Sequence, residues 1–272
     1  MPGFRSTYQG SSFFELLRVD HPHLVAQAGG APGLAGGAVA PGAAASVPHG
    51  TTVLAMKCAE GVLVAGDRLA TENYRVASRD LQKVFPTDDH SLMAIAGAAG
   101  PCIEMARVLR VELEHYEKIE GAPLELEGKA NKLSQMIRQN LPAAMQGLVV
   151  VPLFAGYDRR RKTGRLWKYD VTGGRYEEAE YEATGSGSLY ARESLKKSWR
   201  PGIARDEAVR AAVEALVDAA DEDRGTGGID VTRGIYPNIF TCNAQGIQEV
   251  SKEEIAELHR RVLEARTARG SA

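Results

Sequence analysis

The pattern of apolar and polar positions changes character at residue 51. Residues 28–50 hold seven Gly, eight Ala and three Pro, 18 of 23 positions. A stretch of that kind buries too little apolar area to offset the entropy of ordering its backbone, so it is expected to be flexible. Ahead of it, Ser12-Phe13-Phe14-Glu15-Leu16-Leu17 has the spacing of one or two amphipathic helical turns, either a piece that docks during assembly or a plain leader. From Thr51 the apolar residues fall into short runs. Residues 52–58 and 62–67 read as two strands around Ala59-Glu60-Gly61, a hairpin signal. Residues 74–78, 83–86 and 91–97 read as further strands.

Helical spacing follows over 100–119, carried by Ile103, Ala106, Val108, Leu109, Val111, Leu113 and Tyr116 and ending before Gly121 and Pro123. A second helix is expected at 127–145. Strands return at 148–157, 165–170 and 180–184, then helices at 188–199 and 205–221. The latter carries Asp206 and Glu207 in its first turn, favourable to the helix dipole. Strands at 229–233 and 237–242 and a helix at 251–267 complete the order. Helices arriving in pairs between sets of antiparallel strands predict an α+β fold of two stacked sheets with helices outside, not alternating βαβ units.

Composition narrows the function. The chain has 272 residues, 44% hydrophobic and 25% charged, with a formal net charge of −2. That is an ordinary globular balance with no basic footprint for nucleic acid. Cys58, Cys102 and Cys242 are widely spaced and form no CxxC pair, which argues against a disulfide framework or a metal site. No run approaches the length of a membrane span, and the start lacks the pattern of a secretion signal. A cytoplasmic protein without cofactor is the expectation.

The chemistry centres on Gly50-Thr51-Thr52. A hydroxyl is a poor nucleophile unless something takes its proton. None of the six histidines sits in a recognisable arrangement: His21, His23 and His49 lie in the leader, and His90, His115 and His259 in a turn or on helices. Cleavage of the Gly50–Thr51 bond would give Thr51 a free α-amine, with an ordinary pKa of roughly 7.7–8.0, on the same residue as its Oγ. Nucleophile and base would then share one amino acid. Asp67 ends the second strand, across the hairpin from Thr51. Lys83 lies in an otherwise apolar run, where a lone ammonium is costly unless paired. An Asp67–Lys83 pair beside Thr51 would lower the pKa of the hydroxyl. Ala96-Gly97-Ala98-Ala99-Gly100 joins a strand to a helix, which makes Gly97 N–H a candidate oxyanion donor.

Taken together, Thr51-Thr52-Val53, Gly66-Asp67-Arg68 with Ala70-Thr71, Lys83-Val84, Ala96-Gly97, Gly185-Ser186-Gly187, and Asp223 with Gly227-Gly228 resemble the β-subunits of the 20S proteasome, most closely the actinobacterial type. The likeness covers essentially residues 51–250. Each motif alone is weak; at these intervals together they are highly specific. The resemblance implies a four-layer αββα sandwich of the N-terminal nucleophile hydrolase type. It implies autocatalytic loss of residues 1–50 and a catalytic domain over 51–272. It further implies homo-heptameric β rings stacked with α-subunits as α7-β7-β7-α7, and an ATPase unfoldase acting through the α rings.

By position, the resemblance makes Ser186 and Asp223 supports of the Thr51 amine. It makes the backbone at Thr71, Gly97 and Ala99 a strand-like bed for an extended peptide. Its pocket positions, Ala70, Leu81, Ile95, Ala99 and Ile103, are all apolar here, which implies cleavage after large hydrophobic residues. One departure is Thr226, where many members have Ser. Two other readings compete with this one. A simpler two-ring bacterial peptidase also begins Thr-Thr, but the long leader and the Ser186 and Asp223 elements count against it. A structural ring subunit without activity would show damage at Thr51, Asp67 or Lys83, and all three are intact.

Overall fold

The computed structural model describes residues 50–72 and 75–270. The amphipathic piece at 12–17, the Gly/Ala/Pro stretch up to residue 49 and Tyr74 lie outside the described residues. Elements are numbered in chain order. Strands β1 (Thr52–Cys58) and β2 (Gly61–Gly66) make the expected hairpin, with Cys58 opposite Gly61 at its turn. The other edge of β1 pairs with β10 (Tyr181–Gly185). That of β2 pairs with β11 (Asn238–Asn243), which carries β12 (Gly246–Glu249). A second sheet runs in sequence order through β5 (Val84–Asp88), β6 (Ser91–Ala94), β7 (Leu153–Asp158), β8 (Thr163–Tyr169) and β9 (Arg175–Glu178), every pair antiparallel. β3 (Ala70–Glu72) and β4 (Arg75–Ser78) form a separate ribbon.

The alternation of side chains along each strand builds the layers. Val53, Ala55, Val62 and Val64 point from the first sheet onto Val84, Leu92, Ala94, Leu153 and Leu166 of the second. Leu54, Met56, Leu63 and Ala65 point the other way, onto helices α4 (Ser188–Ser198) and α5 (Arg205–Glu222) through Leu195, Ala212 and Leu216, with Ile255 of α6 (Lys252–Gly270) in the same cluster. On the far side, Met93, Phe154 and Trp167 meet Leu109 and Leu113 of α1 (Ala99–Glu120) and Leu133 and Ile137 of α2 (Leu126–Gln139). The order is helix, sheet, sheet, helix, the αββα sandwich expected. Central strands are covered on both faces, which is why 52–56 and 62–65 read as continuous apolar runs.

The structure corrects several boundaries. The helix expected over 127–145 is two: α2 stops at Gln139 and a short α3 (Leu141–Ala144) follows. Pro142 supplies no N–H and restricts the residue before it, and Asn140 turns its side chain to the Leu148 carbonyl at 3.0 Å. The strand expected at 229–233 is a turn closed by one bridge, Asp230 with Ile235. There the Asp230 carboxylate accepts the Arg233 N–H at 3.0 Å and its guanidinium at 2.6 Å, a local bonding pattern that competes with a ladder. The strand expected from 148 begins only at Leu153, after Pro152; Val150 keeps an isolated bridge to Gly97. Lys83 stands just before β5 rather than inside it.

Candidate active site

Thr51 is 6% exposed, directly before the start of β1. Its Oγ1 donates to the Gly50 carbonyl at 2.6 Å, so the hydroxyl already rests on the peptide bond expected to break. Gly50 is buried, and a Cβ built on it would stand 2.5 Å from Thr71 Oγ1 and 2.6 Å from the Gly225 carbonyl. No methyl fits there without moving backbone. Gly50→Ala is therefore expected to slow processing of the junction about tenfold or more, because a shift of order 1 Å spoils alignment of an attacking group. The fraction of uncut chain on a denaturing gel over time reads it out; wild-type kinetics would refute the packing argument.

Asp67 and Lys83 meet as the hairpin register demands. Val53 pairs with Gly66, which sets Asp67 against the start of β1. Asp67 Oδ1 accepts the Thr52 N–H at 2.7 Å and the Lys83 ammonium at 2.6 Å. Its Oδ2 accepts the Leu69 and Gly227 N–H groups at 2.9 and 2.8 Å. Both side chains are essentially sealed from solvent, 1% for Lys83 and 0% for Asp67. Burial pushes the Lys83 pKa below the usual lysine range, and the Asp67 carboxylate pulls it back up. Besides Asp67, Lys83 Nζ donates to the Leu69 carbonyl at 2.6 Å and to the Gly50 carbonyl at 3.3 Å, so an ammonium finds three acceptors for three hydrogens. One of those acceptors is the oxygen that Thr51 also touches.

Ser186 and Asp223 come together beside the Thr51 nitrogen. The Ser186 hydroxyl donates to Asp223 Oδ2 at 2.5 Å, and the Thr51 N–H donates to Ser186 Oγ at 3.4 Å. β10 ends at Gly185 and α5 at Glu222, so the two residues sit just past their elements, where side chains are free to turn toward Thr51. Thr226 joins them: its hydroxyl donates to Asp223 Oδ2 at 2.6 Å.

Gly97 takes φ +116°, the left-handed side that favours glycine, where the chain leaves β6 for α1. The bonds around its bridge run from Ala98 N–H to Val149 and from Val151 N–H to Ala96. Neither uses Gly97 N–H. A small cavity of about 10 Å³ lies beside Thr51, lined by Ala70, Leu81, Ile95, Ala99 and Gly97 among others. Four of the five predicted pocket residues are there. Ile103 is not; it is half-buried against the cluster between the second sheet and its helices. Cys102 takes the place on the wall. Thr71 stands over Gly50 on β3.

A far larger cavity, about 590 Å³, opens elsewhere, between the β5–β6 turn and the facing ends of α1 and α2. Its lining is charged, with Asp88, Lys129 and Arg110, and holds no nucleophile beside a strained or polarised peptide. Chemistry, not volume, selects the Thr51 site. Among the described residues, no group of three or more His, Cys, Asp and Glu is placed to hold a metal ion, and no helix is long and apolar enough to cross a membrane.

The geometry has counterparts in known proteins. The family described as "Proteasome subunit" matches residues 47–232. A "Proteasome subunit beta" from Rhodococcus erythropolis is 55% identical over 271 residues, covering 96% of this chain and 90% of the relative. One from Streptomyces griseus is 48% identical over 266 residues, covering 98% and 92%. One from Acidimicrobium ferrooxidans is 53% identical over 227 residues, covering 84% and 83%. A buried threonine hydroxyl against a Gly–Thr bond, a sealed Lys–Asp pair and this extent of likeness lead to one conclusion: the chain belongs to the proteasome subunit family, as a catalytic β-subunit of the 20S core and a threonine protease of the N-terminal nucleophile type.

Proposed function

We infer that Thr51 is the nucleophile, that the chain cuts its own Gly50–Thr51 bond, and that residues 1–50 are lost in doing so. The observation that carries this is the 2.6 Å contact from Thr51 Oγ1 to the Gly50 carbonyl, an oxygen that also receives Lys83 at 3.3 Å. Attack by Oγ1 on the Gly50 carbonyl carbon would move the acyl group from nitrogen to oxygen. Water would then release residues 1–50 and leave Thr51 with a free amine. In the mature site that amine serves as base, Lys83 and Asp67 as charge partners, and Ser186 and Asp223 as the amine's supports. Gly97 N–H donates to the oxyanion.

A substrate peptide would lie as an added strand along Thr71, Gly97 and Ala99. Assembly with α-subunits in the core follows from the family. The arrangement α7-β7-β7-α7, an ATPase feeding unfolded polypeptide to the inner chamber, and a cytoplasmic location belong to this same reading. Intact mass of the subunit purified after co-expression with an α-subunit is expected to begin at Thr51; a start at any other residue would remove its base.

The apolar walls, Ala70, Leu81, Ile95 and Ala99, favour cleavage after large hydrophobic residues. The cavity must widen to admit one, since it holds about one water in the uncut chain. Fluorogenic peptides with a hydrophobic residue before the scissile bond are expected to turn over fastest. Equal or faster turnover of acidic or basic peptides would sink that preference.

A further inference from the structure

We propose that Arg68 and Arg79 form a further substrate subsite, which takes an acidic side chain a few residues past the scissile bond, in the half of the peptide that leaves first. The proposal rests on the reading of Thr51 as nucleophile. A cavity of about 390 Å³ lies beside the loop that holds Thr226 and Gly227 and the chain entering β3. Its wall bonds the charge partners without containing them. The Leu69 carbonyl accepts Lys83 at 2.6 Å, and the Gly227 N–H donates to Asp67 at 2.8 Å. It shares no lining residue with the small cavity beside Thr51: Leu69 borders the one and Ala70 the other. The acyl half of a substrate takes the small cavity and the bed along Thr71, Gly97 and Ala99, so the leaving half needs a separate path. An extended chain advances about 3.3–3.6 Å per residue, which puts a side chain two or three residues past the bond roughly 7–11 Å from it, about one layer of backbone away.

The lining decides the class of side chain. Leu69, Ile235, Tyr236 and Pro237 give apolar walls, and Arg68 and Arg79 supply the charge. Arg79 is exposed and has no hydrogen bond or ion pair among the described residues. Arg68 is only 18% exposed and is held through Nε, 2.5 Å from Asp80. Its two terminal nitrogens carry four N–H groups without a partner among the described residues, a fork that a carboxylate fits with two parallel bonds. The one acid on the lining, Asp230, is already taken by Arg233, which donates its N–H at 3.0 Å and its guanidinium at 2.6 Å. With these two pairs counted, the cations Arg68, Arg79 and Arg233 outnumber the acids Asp80 and Asp230. An incoming lysine meets like charge there, and an amide leaves the fork only partly filled.

Internally quenched peptides test this on processed particles from co-expression with an α-subunit. They share one hydrophobic residue before the scissile bond and carry Glu, Gln or Lys at the second and third positions after it. kcat/KM is expected to be about tenfold higher for Glu than for Lys, with Gln between, the scale of one charge-assisted hydrogen bond. Arg79→Gln should cut that ratio to about threefold and Arg68→Gln to about twofold, while Arg79→Lys keeps most of it. Peptides whose leaving group is a bare aminocoumarin place nothing in the cavity, so both Gln variants should cleave them within about twofold of wild type. Should Arg68→Gln fail to fold, the exposed Arg79 carries the same comparison alone. Equal rates for Glu and Lys, a Glu preference that survives in Arg79→Gln, or equal losses on both kinds of substrate would overturn the proposal. So would an Arg79→Gln chain that folds but no longer assembles, because the cavity would then hold a neighbouring subunit. Thr51→Ala runs alongside: hydrolysis retained there refutes the nucleophile itself, whereas a dead Thr51→Ala beside a wild type indifferent to charge refutes only the subsite.

Discussion

Thr51→Ala abolishes peptide hydrolysis and leaves residues 1–50 attached: that is the expected result, with a loss on the order of 10⁶-fold, the scale seen when an activated nucleophile is removed from a hydrolase. Two functions fail in one substitution. The hydroxyl that sits 2.6 Å from the Gly50 carbonyl is gone, so the junction has no attacking group. The α-amine then stays locked in an amide and offers no lone pair. Fold should be spared, because Oγ1 has Gly50 as its hydrogen-bond partner and the core faces of β1 are Val53, Leu54, Ala55 and Met56. Peptidase assay and intact mass on the same preparation check both halves. Efficient removal of the leader in that variant would show that another group cuts the bond.

Lys83→Ala is expected to have the second largest effect, because it acts on stability and chemistry together. Asp67 keeps three backbone N–H donors, from Thr52, Leu69 and Gly227, but loses its cationic partner Lys83 in a site closed to water. Removing one member of a buried pair costs about 3–5 kcal/mol. The three donors offset part of that, so the lower end is expected for the melting transition. Hydrolysis and processing should both be lost. A double variant, Lys83→Met with Asp67→Asn, separates the two effects: near-isosteric neutral side chains should recover much of the stability while activity stays absent. Recovery of activity in that pair would assign the ion pair a structural role alone.

Parts of this site were legible from residue order, and the reasons are local. The sequence puts the turn at Ala59-Glu60-Gly61 and the structure narrows it to Ala59-Glu60, with Cys58 opposite Gly61; with either turn a hairpin brings Asp67 near the start of β1. Lys83 betrayed itself as a charge next to Val84 and Phe85, where only pairing makes burial tolerable. Ser186 and Asp223 carried no such signal. They are 37 residues apart, and only their likeness to a family pattern named them before the ends of β10 and α5 were seen to converge. Thr52 and Thr226 are 174 apart, and no local pattern pairs them. On α1 the cavity faces Ala99 and Cys102, and Ile103 lies about 100° round the helix from Cys102 and about 40° from Ala99, an orientation that spacing alone does not fix.

What the sequence by itself determined is what neighbours along the chain set: most of the strands and helices, though not β3, β9 or β12, the sheet-and-helix layering, and the logic of a Gly–Thr bond whose cleavage would supply a base. Periodicity and turn chemistry act over a few residues, so they survive without knowledge of the fold. What only the tertiary structure decided is which distant polar groups share hydrogens. A single hydroxyl proton has one destination, and whether Thr226 gives its own to Asp223 depends on positions fixed to tenths of an ångström by the packing of two sheets and five helices' worth of side chains. No pattern along the chain encodes that distance.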